Sequence, residues 1–125
     1  MKIKSSDEIA NWLFVLVIQA LNKNIWEIYK VKDLKDPDDC RAHLCGFLDG
    51  EENEYEIYVS ARKSANPTKD DMAKTLLHEV LHSLFMKARE ERILKLESLL
   101  WNSFSKPQKE MIRSYIPKRS ATKKP

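Results

Sequence analysis

The chain is 125 residues long, 42% hydrophobic and 33% charged, with a formal net charge of +3. That size suits a single domain around one core and argues against a second. Its longest apolar run, Trp12 to Ile18, is seven residues, far short of a membrane span, and its two cysteines are too few for the disulfide framework of a small secreted domain.

Lys2 and Lys4 precede the apolar run as the basic start of a signal peptide would. Asp7 and Glu8 intervene, however, and no small-residue cleavage site follows, so a cytoplasmic location is expected. Ser5 and Glu8 have capping-box spacing ahead of Ile9, Leu13, Val17 and Leu21, which predicts a helix from about Ser6 to Asn22. Its broad apolar surface suggests that it lies across a sheet. Trp26 to Val31 alternates with period two, as a half-buried strand should. Lys35 to Asp39, with Pro37, reads as a loop.

Arg41 to Leu48 and Tyr55 to Ser60 are β-like runs joined by Asp49-Gly50-Glu51-Glu52-Asn53, predicting a hairpin. Gly46 and Gly50 are the only glycines, and Asp49-Gly50 is where a tight turn needs one. Cys40, His43 and Cys45 have no zinc-knuckle spacing and lack a fourth ligand, so free, buried or half-buried thiols and a surface histidine on a strand are expected. Ile57 and Val59 are placed beside the next element, bordering its cleft.

After Asn66-Pro67, Thr68 and Asp71 form a second capping box and start the helix that carries His78-Glu79-Val80-Leu81-His82. Residues four apart share a helix face, roughly 6 Å apart along the axis, so His78 and His82 can offer imidazole nitrogens to one metal ion. Glu79 is one residue along, placed to take a proton from water that the metal activates. From Thr75 to Met86 nothing else is charged, and Leu76, Leu77, Val80, Leu81, Leu84 and Phe85 make the segment apolar nearly all round. Two imidazoles and a carboxylate in such a helix are costly to desolvate without a partner, and a metal is the obvious one. Ordinary core histidines, with Glu79 paired to a lysine, are the plainer alternative.

Glu90, Glu91, Ile93, Leu96, Leu99, Leu100 and Phe104 describe a further amphipathic helix ending near Pro107. No Gly or Pro separates Phe85 from Glu90, and propensity alone allows one helix from Lys69 to Phe104. In that unbroken helix Glu91 would stand about 13 Å up the axis from His82, whereas a catalytic HExxH site takes a third protein ligand and keeps one position open. Such a ligand requires a turn between Ser83 and Glu90, and element length favours one. Gln108 to Tyr115 is expected to form a last helix over the core, with Trp101 packing there. Residues 105–125 carry seven Lys/Arg against Glu110 alone. Residues 117–125 are accordingly read as a flexible basic tail beyond a single domain of residues 1–116.

The strand Glu56-Ile57-Tyr58-Val59, the helix Thr75-Leu76-Leu77-His78-Glu79-Val80-Leu81-His82 and Glu90-Glu91-Arg92-Ile93 leading into Leu96, Leu100 and Trp101 resemble the small zincin metallopeptidases of bacteria, phages and mobile elements. The ImmA/IrrE-like and SprT-like groups are among them. The resemblance covers roughly Tyr55 to Phe104. It implies an α+β, zincin-like minimal metalloprotease fold: an N-terminal helix, a small three-stranded sheet with a hairpin, the HExxH helix and a following helix. It also implies a cytoplasmic enzyme with Zn2+ held by His78, His82 and a gluzincin-type glutamate, first Glu91 and second Glu90. Glu97, interrupting an apolar face, is a candidate for orienting a ligating imidazole or a rim residue paired with a base. Glu79 would be general base in peptide hydrolysis, with Tyr58, Tyr115 or Arg92 as oxyanion donor. The substrate would be a protein or peptide. A non-catalytic binding or regulatory module, its basic tail touching nucleic acid or an acidic partner, is the alternative from another class; a metal hydrolase of non-peptide substrates is a third.

Overall fold

A computed structural model describes residues 7–51 and 54–125, with the backbone alone for 40–42. It is an α+β fold of four helices and a three-stranded mixed sheet, with a separate two-stranded ribbon. The elements run α1 (Glu8–Lys23), β1 (Ile25–Val31), β2 (Lys35–Asp36), β3 (Asp39–His43), β4 (Gly46–Asp49), β5 (Tyr55–Ser60), α2 (Lys69–Leu84), α3 (Glu90–Ser103) and α4 (Lys106–Ser114). No helix among the described residues is long and apolar enough to cross a membrane.

The cap of α1 is Asp7, whose Oδ1 accepts from the amides of Ile9 at 2.9 Å and Ala10 at 3.1 Å. The expected cap, Ser5, lies outside the described residues; a carboxylate at the N-terminus also opposes the helix dipole favourably. Sheet order is β1-β5-β4, with β1 parallel and β4 antiparallel to the central β5. The alternation expected from Trp26 onward is broken at its start. The pairing with β5 shifts register between Ile25 and Glu27, and as a result Trp26 and Glu27 both face solvent while Ile25, Ile28 and Val31 are buried.

The run Arg41 to Leu48 is two strands, not one. Its first part, β3, folds back on β2 inside the stretch expected to be a loop, and only β4 forms the hairpin with β5. Gly50 takes the turn with a φ of +102°, where a side chain would meet the Glu54 carbonyl; Glu52 and Asn53 lie outside the described residues.

α2 is the central element, packed by α1, α3 and α4 and by β4 and β5. Thr68 and Asp71 close the capping box in both directions. Leu76, Leu77, Val80 and Leu81 are wholly buried, each contributing roughly 1.5–3 kcal/mol relative to exposure. Ile57 and Val59 belong to this core and do not border the cleft described below. α2 ends at Leu84 without Gly or Pro, since Phe85 leaves the helical region at φ −125° and ψ 63°. The cause is tertiary: continuing the helix would carry Ile93, Leu100, Trp101 and Phe104 away from the core, where all four are now buried. That apolar burial outweighs propensity differences of a few tenths of a kcal/mol per residue. α4 starts at a reciprocal Ser105–Gln108 capping box with Pro107 in its first turn, and buried Gln108 donates to Asn11 Oδ1 of α1 at 3.0 Å.

Residues 118–124, expected to be loose, lie along β1. Ala121 forms a parallel bridge with Val31, the Lys124 carbonyl stands 3.4 Å from the Tyr58 hydroxyl, and Lys123 pairs with Glu56 at 3.2 Å above the Tyr29 ring. Ala121 joins Val31, Leu34 and Tyr58 in a second small core that also holds Leu44 and Phe47.

Candidate metal centre

The turn Phe85–Arg89 brings the first residue of α3 back over the last two turns of α2. Glu90 Oε1 lies 2.7 Å from His78 Nε2, Glu90 Oε2 lies 2.7 Å from His82 Nε2, and the two Nε2 atoms are 3.1 Å apart. Three donors bound tetrahedrally at about 2.0–2.1 Å would stand roughly 3.3 Å from one another. The two Nε2 atoms are near that spacing, Glu90 meets each of them with a different oxygen, and two imidazoles with one carboxylate are a donor set suited to zinc. The ligand atoms of His78, His82 and Glu90 all lie within 4.8 Å of one another.

Of the two glutamates considered from sequence, Glu90 is the one in this group. Glu91, the first choice, is exposed and outside it. The reason is helical phase: one residue further along α3 turns the side chain about 100° away. Glu97, a candidate from sequence for orienting a ligating imidazole, does contact one of the two histidines. Its Oε1 is 2.8 Å from His78 Nδ1, a contact that bridges α2 and α3 two turns along α3 from Glu90. A carboxylate there keeps the proton on Nδ1 and turns Nε2 toward the triangle.

Glu79 is buried on α2 and lines the same cleft, an open hollow of about 760 Å³. Burial pushes its carboxyl up to about 7, against the pull of His78 and with help from the negative charges of Glu90 and Glu97. Burial alone would depress the His78 imidazole. The hydrogen bond to Glu97 and the charges of Glu79 and Glu90 more than offset that and lift it above its usual value.

Strand β4 forms the opposite wall. A Cβ on Gly46 would stand 2.5 Å from Thr75 Cγ2 and 3.2 Å from both Cγ and Oε2 of Glu79, so the glycine is required by close approach of strand and helix. Buried Asn66 fixes that spacing. Its Nδ2 donates to the carbonyls of Cys45 at 3.0 Å and Ser60 at 2.8 Å, and its Oδ1 accepts from the Thr75 hydroxyl at 2.7 Å. In the sequence Gly46 stands out only by its rarity and Asn66 only as the residue before Pro67; a lone glycine in a strand-like run is the signal of close backbone approach.

The three residues named as oxyanion donors stand elsewhere. Tyr58 donates to Glu56, Tyr115 donates to Asn22 Oδ1 on α1, Arg92 is exposed, and none lines the cleft. His43 is an exposed partner of Asp33 at 2.9 Å beside Arg62. Cys45, expected to be buried or half-buried, is instead a free, exposed thiol just before edge strand β4, donating to the Ala65 carbonyl. Trp101 is buried packing, with Lys109 over its ring. Compared with known protein families, curated proteins and solved structures, the chain matches none.

Proposed function

We propose that the protein is a zinc-dependent peptidase of the zincin type, with His78, His82 and Glu90 holding the metal and Glu79 as general base. The observation that carries this reading is the convergence of His78, His82 and Glu90 beside the buried carboxylate of Glu79, which shares α2 with both histidines. Zinc bound there supplies Lewis acidity to water and to a scissile carbonyl. Glu79 faces the space between α2 and β4, where its carboxylate receives the proton of the attacking water and delivers it to the leaving amine. Glu97 holds His78 in the tautomer that leaves Nε2 free. A peptide is favoured as substrate because no strand among the described residues pairs with the outer edge of β4, which runs along the cleft. Such an edge offers main-chain groups to an extended chain.

Elemental mass spectrometry of the purified chain and of a His78→Ala/His82→Ala variant tests the metal, with about one zinc per chain expected only in the first. Glu79→Gln then tests the chemistry. It should retain zinc and lose hydrolysis by about 10²–10⁴-fold; turnover that persists in a pure preparation refutes the role of Glu79.

A further inference from the structure

A second concavity lies on another side of α2. Lys69 and Met72 stand about 180° and 120° around that helix from His78. The cavity they line holds about 400 Å³ and shares no lining residue with the cleft. Four cations surround it, each from a different segment: Lys30 from β1, Lys69 from the first turn of α2, Arg113 from the last turn of α4 and Lys118 from the stretch after it. The remaining lining residues, Met72, Ser114, Ile116 and Pro117, carry no charge, so among the described residues no carboxylate lines this space. Contacts at the rim fix two of the four. Arg113 donates to Asp70 Oδ1 at 3.0 Å, and Lys30 Nζ donates to the Lys118 carbonyl at 2.5 Å. The first is an ion pair; the second leaves an ammonium charge unbalanced. Lys69 and Lys118 are exposed, and neither ammonium has a partner among the described residues. The backbone that carries Lys118 is itself tied down, since the Ala121 amide donates to the Lys30 carbonyl at 2.6 Å.

We propose that this cavity binds a phosphorylated small molecule, with the phosphate among the four cations and an uncharged part against Met72, Ile116 and Pro117. Three of the four positive charges converge there with nothing to balance them, and a concave wall of low dielectric focuses their field on an entering anion. Arg113 gives one donor to Asp70 and keeps others for phosphate oxygens, while the lysines act as mobile point charges. The volume is that of a small-ligand pocket, which receives one molecule and not a length of polymer. No residue of the proposed metal centre takes part, so the site stands or falls apart from the peptidase reading.

Calorimetric titration of the full chain with phenyl phosphate at low ionic strength tests this. Binding of one molecule per chain is expected, several-fold tighter than inorganic phosphate because the ring covers apolar surface. Lys69→Met and Lys118→Met should each weaken it by about ten-fold or more, the loss of one charge-assisted hydrogen bond. Neither side chain holds another contact among the described residues, so both variants should melt as the wild type does. Lys95→Met removes the same charge from an exposed position on α3 and should bind as the wild type does; equal weakening there reduces the effect to net charge and overturns the site. The His78→Ala/His82→Ala variant should also keep its affinity; loss of binding in it would put the anion on the metal and likewise overturn the site. Phosphatidylcholine vesicles containing phosphatidic acid distinguish the source of the phosphate. Vesicle binding that phenyl phosphate displaces assigns a lipid headgroup, and its absence assigns a free molecule. No binding of phenyl phosphate, or binding of a DNA duplex without it, overturns the proposal.

Discussion

Gly46→Ala is the sharpest test of how the two walls of the cleft are held apart. Carbon atoms in contact prefer about 3.5–4.0 Å, so the new methyl, 2.5 Å from Thr75 Cγ2, is at least 1 Å too close. Thr75 cannot simply rotate, because its hydroxyl is committed to Asn66 Oδ1 at 2.7 Å. Nor can β4 withdraw freely, since it is paired along its length with β5 and held at Cys45 O by Asn66. Overpacking of this kind costs about 1–3 kcal/mol, which at this chain length lowers the melting temperature by roughly 3–10 °C. Thr75→Ser removes Cγ2 and keeps the hydroxyl, leaving only the milder 3.2 Å approach to Glu79. The double variant should therefore recover about 1–2 kcal/mol relative to the sum of the single changes. Chemical denaturation of the wild type, both single variants and the double variant measures that coupling. Additive effects would show that Thr75 is not what Gly46 makes room for.

Four further outcomes are expected. Glu90→Ala should abolish stoichiometric zinc binding while Glu91→Ala leaves it unchanged, as competition with a chromophoric chelator will show. Glu97→Gln should weaken zinc by about 10–100-fold without removing it, since it loses only the partner of His78 Nδ1. In metal-free protein the raised carboxyl of Glu79 makes the folded state bind more protons than the unfolded one between pH ~4.5 and ~7. Stability is thus greatest below that window and falls as pH rises through it, by up to about 3 kcal/mol, and Glu79→Gln should flatten the slope in urea titrations. Ala121→Asp, which places a charge in the second core with Val31, Leu34 and Tyr58, should cost about 1–3 kcal/mol in the same assay.

The helix bearing His78, Glu79 and His82 was legible because its start is written locally, in Thr68 and Asp71, and its burial in an uninterrupted apolar run. The turn after Leu84 was legible only through length, since the force that makes it, burial of Ile93, Leu100 and Trp101, is tertiary. Glu90 against Glu91 was not decidable from spacing: the two differ by the angle at which α3 begins, which is set by the five residues of the connector. The split of Arg41 to Leu48 into β3 and β4 was hidden for a similar reason. Which partner each half finds depends on contacts from Leu34 to Leu44 and from Gly46 to Val59, and no local pattern encodes them. Residues 118–124 looked like a solvated tail by charge, yet Lys123 is neutralised by Glu56 and Ala121 is small enough to seat beside Val31.

His78, His82, Glu90 and Glu97 all fall within twenty consecutive residues, on two helices and the turn between them. The wall that faces them is assembled from β4, which comes to α2 only after long-range pairing with β5 and docking of Asn66. Capture of a metal is therefore separable from completion of the cleft. A short stretch of unfolded or partly folded chain already carries the donors, and under the proposed function any affinity it retained for zinc would subtract from the stabilisation that zinc would give the native state. A metal-induced rise in melting temperature will understate the native affinity, and metal content by itself certifies a helical hairpin, not an assembled cleft.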